Sequence, residues 1–141
     1  MRPGAFCFAG AVIDEELAPL AWVPLEGRGS LPFALVHGES LVAAASWAVG
    51  ESGAQLYDAS VDLASIRASE RALLVHDPLC PLTPADFLAE AWELSARTGR
   101  VVVGFRPVTD TIKEHAGDRL GATVDRTLLR SVASPVIIDG A

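Results

Sequence analysis

The stretch "ALLVHDPLCPLTPADF", residues 72–87, decides the fold. Its first part, within "RALLVHD" (71–77), is a short apolar run without period-2 alternation, as expected of a strand covered on both faces. A proline-rich turn leads into "LTPADFLAEAWELSARTG" (82–99). That segment reads as a helix, with Thr83 as N-cap, Pro84 at the first helical position, Asp86 at the capping-box position and Gly99 as the stop. A buried strand followed directly by a capped helix is the repeating unit of an α/β layer fold.

The flanking segments keep that rhythm. Upstream, "PLAWVPL" (19–25) reads as a buried strand followed by the Gly-rich turn "EGRGS". "FALVHG" (33–38) reads as a short extended piece, and "ESLVAAASWAVG" (39–50) as a helix stopped by Gly50. "SVDLASIRASE" (60–70) is a weaker helix. Downstream, "RVVVGFRPV" (100–108) and "SPVIID" (134–139) read as strands. Strands alternating with helices predict a mainly parallel, Rossmann-like sheet flanked by helices.

One segment breaks the pattern. "TDTIKEHAGDRLGATVDR" (109–126) is polar throughout and contains Lys113, the single lysine in a chain with ten arginines. Two polar runs flank the turn-rich "GDRLG", which predicts a β-hairpin with a five-residue loop. So polar a hairpin has little to bury on its own sheet, so it is expected to project as an arm and meet a partner.

Composition bounds the function. At 141 residues and 50% hydrophobic, the chain is expected to form a single domain over residues 1–141 with one core. The net charge of −7, with few and scattered basic residues, argues against nucleic acid, whose phosphates require a basic face. No apolar run approaches the roughly 20 residues needed to cross a bilayer, so no membrane partner is expected. "MRPGAFCFAGAVIDEEL" has one early arginine and a short apolar run ending in Asp14, Glu15 and Glu16, without a small-residue cleavage site. It is read as no signal peptide, and the expected location is cytoplasmic. Cys7 and Cys80 have no metal-ligand spacing and are read as packing residues in a reducing compartment.

The order of motifs resembles the methylerythritol-phosphate cytidylyltransferases of the non-mevalonate isoprenoid pathway. The resemblance is carried by "ALLVHDPLCPLTPADF", then "PVTDTIK" (107–113), then "ATVDRTLLRSVASP" (122–135). It extends back, more weakly, through "GAQLYDASVDLASI" (53–66) to "VPLEGRGSLPFALVHGESLVAAA" (23–45), and covers roughly residues 20–138. It implies a nucleotidyltransferase sheet whose arm clasps a second subunit. It also implies transfer of a cytidylyl group from CTP to methylerythritol phosphate with Mg²⁺. Such chemistry works chiefly by positioning and by neutralising developing charge.

Against that resemblance the sequence departs in one direction. Leu31 stands where the family carries an arginine after its Gly-rich loop, and Phe33 where it carries a lysine after proline. Tyr57 and Cys80 stand where it carries further arginines. The step from Gly50 to Gly53 is short for the family's second strand, and Ala141 falls before its last lysine and metal-binding aspartate. Each lost charge-assisted contact removes about 1.5–3 kcal/mol, without strict additivity. Half of the summed loss already means several powers of ten in rate.

The expectation is therefore a degenerate member with no catalytic residues. Residual substrate contacts are assigned to Gly27, Arg28, Gly29, Ser60, Thr111, Lys113 and Arg126, with Asp77 the metal-side carboxylate should Mg²⁺ be used. It would act as a homodimer joined through the arm, or as a protein partner. The alternative is a divergent, active nucleotidyltransferase recruiting Arg28, Arg106, Arg126 or Lys113 as replacement cations.

Plainer readings stand beside these. "EGRGS" without a following arginine and lysine is favoured as an ordinary turn. His76 is read as a hydrogen-bonded structural residue and Cys80 as inert packing. A lone Asp77 holds magnesium poorly. Trp22, Trp47 and Trp92 are assigned to the core. Lys113, Arg119 and Arg126 serve equally well as a solvated edge.

Overall fold

The computed structural model describes residues 18–57 and 62–140. In chain order its strands are β1 (Leu20–Trp22), β2 (Leu35–Val36), β3 (Glu39–Ser40), β4 (Gln55–Leu56), β5 (Leu73–Val75), β6 (Val102–Pro107), β7 (Lys113–Ala116), β8 (Arg119–Thr123) and β9 (Arg130–Ile138). Helix α1 (Leu41–Glu51) lies between β3 and β4, α2 (Leu63–Ala68) between β4 and β5, and α3 (Ala85–Thr98) between β5 and β6.

Five strands form the main sheet in the order β4-β1-β5-β9-β6. β1 pairs in parallel with β4 and β5, whereas β9 is antiparallel to both β5 and β6. Four of the five strands therefore run one way. β9 runs against them because the chain leaves β6 through the arm and returns without a crossover helix. Arg71 ties the start of the sheet together, donating to the Ala18 carbonyl at 2.8 and 2.5 Å and to the Gln55 side chain at 2.8 Å.

The core follows from register and helical spacing. Leu74 on β5 pairs with Ala21 on β1 to one side and Ile137 on β9 to the other, and each of the three is fully buried. Ala48 and Val49 of α1 and Leu88 and Ala91 of α3 pack against them. Trp92 borders this cluster and donates its indole N–H to the Ser52 carbonyl at 3.1 Å. Trp22 is half-buried beside Tyr57, with ring centres 6.4 Å apart. Trp47 corrects the assignment to the core, being 69% exposed. With Ala45, Ala48 and Val49 turned inward, position 47 falls on the solvent side of α1.

Element ends shift for identifiable reasons. α1 runs past Gly50 to Glu51, and the left-handed residue beyond it is Gly53, at φ +82°. Ser40 caps its start, accepting from Ala43 N–H. Thr83 is not the cap of α3, because its hydroxyl donates to the Cys80 carbonyl at 2.9 Å and Pro84 takes the cap position. Gly99 does end α3, at φ +60°. β9 begins at Arg130, four residues before the expected strand, because its first half pairs with the outer half of β6.

β7 and β8 form the hairpin arm, but with a shorter loop than its sequence suggested. Ala116 pairs with Arg119, leaving only Gly117 and Asp118 in the turn. Gly117, at φ +63°, supplies the positive first position that such a two-residue turn requires. The remaining residues of "GDRLG" enter β8, where the register shifts opposite Glu114.

Candidate functional site

The loops leaving β1 and β5 converge beside β9 at the carboxyl ends of the parallel strands, where open α/β sheets bind ligands. They enclose a cavity of about 330 Å³ whose lining includes Arg28, Asp77, Cys80, Arg106 and Ser134. Val75, Val132 and Val136 supply an apolar wall.

The loop after β1 folds tightly. Gly27 and Gly29 sit at φ +73° and +57°, and the amides of Arg28 and Leu31 bond within the loop, to Leu25 and Arg28 carbonyls at 3.3 Å. Those two N–H groups are thus spent inside the turn. The loop delivers the Arg28 guanidinium to Asp77, where Nη2 donates to Oδ2 at 2.6 Å. The other Asp77 oxygen accepts from Leu79 N–H at 2.9 Å. Both carboxylate oxygens are committed within the chain. Among the described residues, no three His, Cys, Asp or Glu side chains gather in a metal-binding group.

Behind Asp77 lies a second network. Its backbone N–H donates to Ser134 Oγ at 2.9 Å, and the same Oγ is 2.6 Å from His76 Nδ1. Ser134 Oγ can accept from both the Asp77 amide and a protonated Nδ1, or donate its own proton to Nδ1, so the contact joins the two side chains whichever ring nitrogen carries the proton. His76 is fully buried and its Nε2 has no partner among the described residues. Burial holds its pKa below the ordinary 6.5. This agrees with the structural reading of His76. Ser134 was missed, since "SPVIID" offered only the signal of a strand start.

The neighbouring turn is equally well bonded. Cys80 is half-buried and free, its N–H donating to Asp77 O at 2.9 Å. Cys7 and Ser60 lie outside the described residues.

Of the remaining residues singled out, Thr111, Lys113 and Arg126 lie on the arm or at its base, and all are exposed. Lys113 Nζ donates across the hairpin to Thr123 Oγ1 at 2.7 Å. The Arg126 guanidinium donates to the Thr109 carbonyl. Asp125 accepts from the Thr127 N–H and hydroxyl at 3.0 and 2.7 Å, which holds its carboxyl below the usual range. Arg28 and Asp77 meet at the cavity, whereas Lys113 and Arg126 bond to the arm and its base. Arg106 sits between, lining both this cavity and a hollow at the arm's root with Thr109 and Asp110.

No family model matches the chain. It is similar to two bifunctional IspD/IspF enzymes. One, from Solidesulfovibrio magneticus, is 37% identical over 65 residues, which is 46% of this chain and 16% of that protein. The other, from Clavibacter michiganensis, is 43% identical over 75 residues, 52% of this chain and 18% of that protein. The chain thus spans less than a fifth of either relative. A crystal structure of a 4-diphosphocytidyl-2C-methyl-D-erythritol synthase superposes with a TM-score of 0.65 at 15% identity, over 88% of this chain and 75% of that one. The resemblance carried by the motifs therefore holds in sequence and in structure, and the chain has the nucleotidyltransferase fold of the methylerythritol-phosphate cytidylyltransferases.

Proposed function

We propose that this chain is a member of the methylerythritol-phosphate cytidylyltransferase family that no longer transfers cytidylyl groups. It acts instead as a non-catalytic dimer, or as the partner of another protein, through the arm at residues 109–126. Residues 1–141 are taken as one nucleotidyltransferase-like domain working in the cytoplasm. The single observation behind this reading is the 2.6 Å ion pair between Arg28 and Asp77. It puts a side-chain cation where the resemblance would put a metal ion, in a chain that carries Leu31, Phe33 and Cys80 at positions where the resemblance implies cations.

The test has two arms. The chain is incubated with CTP, methylerythritol phosphate and Mg²⁺, and pyrophosphate release is followed; no turnover is expected, and turnover would overturn the reading. Light scattering after size exclusion compares the full chain with one lacking residues 110–125. A dimer that the deletion converts to monomer is expected, whereas a wild type that stays monomeric at high micromolar concentration removes the role assigned to the arm.

The runner-up is a divergent active nucleotidyltransferase. Arg106 favours it, because a second guanidinium lines the same cavity as Arg28. Pyrophosphate release in the same assay decides between the two.

A further inference from the structure

We propose that β6 and α3 form a docking face for a second copy of this chain. The two copies pair β6 against β6 about a two-fold axis and lay their α3 helices side by side. This contact is separate from the arm and goes beyond the role assigned to it.

The open edge is the first argument. β6 is the last strand of the main sheet and pairs, among the described residues, with β9 alone. It has six residues, whereas β4 at the opposite edge has two. A long apolar edge is a template for a further strand. The register shift after Val103 and the missing N–H of Pro107 blunt its outer half, so pairing centres on Val102 and Val103. Apolar side chains stand exposed on either side, Val101 at 59% and Phe105 at 60%.

Spacing is the second. α3 packs over both β9 and β6. It therefore sits about half a strand spacing inside the edge. A copy of β6 added at about 4.8 Å brings the second α3 to roughly 10 Å from the first, where helices pack. Between α3 and β6 lies a hollow of about 640 Å³ lined by Phe87, Leu94 and Phe105, all three exposed. The same residues of the copy close it.

Charge chooses the occupant. Glu90, Glu93 and Arg97 line this hollow, and none forms an ion pair with a described residue. A two-fold axis runs the second α3 antiparallel to the first. The glutamates of each helix then face the Arg97 end of the other, and the match is made twice. A parallel copy would set like charge against like, and a segment of one charge sign would be repelled by one end of the face.

Sedimentation equilibrium of the full chain, from low micromolar to millimolar concentration, is the test. The contact is small, so a dissociation constant of about 100 µM or weaker is expected, with the average mass rising towards at least twice its low-concentration value. Arg97→Glu, and Glu90→Arg combined with Glu93→Arg, each give the face a single sign. Each variant is expected to associate at least about ten-fold more weakly. Their melting temperatures should not change, because all three side chains are exposed. Mixed in equal amounts, the two variants again set opposite charges across the contact, and the mixture is expected to associate as the wild type does. Charge variants that associate like the wild type, or a mixture no better than its parts, would each overturn the proposal. A mass independent of concentration would assign the face to some other occupant and also overturn it. The low-concentration mass, one chain or two, reads the arm, whereas its rise and the mixing experiment read β6, so the two readings fail separately.

Discussion

Arg28 and Asp77 are 49 residues apart in the chain and joined by a 2.6 Å ion pair. The pair links the loop after β1 to the turn after β5, so two neighbouring parallel strands end on one bond. Its side chains are 41% and 26% exposed, and solvent weakens such a pair considerably. Arg28→Ala is therefore expected to change the free energy of unfolding by less than about 1 kcal/mol in urea titrations. A larger loss would mean that the pair holds the fold together and does not merely shape the cavity.

His76 supplies a pH dependence. Burial lowers its folded-state pKa below the unfolded value near 6.5, so the unfolded chain binds more protons in the acidic range. Stability is then full above about pH 6.5 and falls as the pH drops below it. Melting temperatures measured between pH 7.5 and 5 should decline, and His76→Gln should flatten that decline while lowering the whole curve. A wild-type curve flat over this range would contradict the buried neutral imidazole.

Leu88 and Trp47 make a matched pair for the core. Leu88 is fully buried between α3 and the sheet, and Leu88→Ala is expected to cost about 2–5 kcal/mol. Trp47, the larger side chain, lies in solvent, and Trp47→Ala should stay within about 0.5 kcal/mol. Equal losses at the two sites would show that Trp47 is covered in solution.

Gly104 tests the close approach of β6 to β9. A Cβ there would lie 2.5 Å from the Ser134 carbonyl oxygen and 3.0 Å from Pro135 N, both backbone atoms that cannot swing aside. Gly104→Ala is expected to destabilise by about 1–3 kcal/mol, read by denaturant unfolding. The same change at Gly50, which meets nothing within 4 Å, should be neutral or slightly stabilising.

These elements differ in how far the sequence revealed them. β5, α3 and β6 were legible because an apolar run, a capped amphipathic helix and a terminal Gly99 are local signals. The direction of β9 was not, since whether a returning strand lies parallel depends on the connection before it and not on "SPVIID". The loop of the arm was misjudged because "GDRLG" holds two glycines and only Gly117 has the turn's positive φ. Asp77 was singled out from its motif, but its partner sits on another loop, and no spacing in the chain announces that contact. Ser134 was invisible for the same reason. Its hydroxyl matters only because the fold places it against His76 and Asp77.

β9 has three duties along its length, on either side of a shift in its register with β6 between Val132 and Val136. Arg130, at its outer end, lies 5.6 Å over the Phe105 ring at the arm's root, Ser134 stands in the cavity wall, and Ile137 is sealed in the interior. The same nine residues thus reach from the root of the arm, through the cavity wall, into the core.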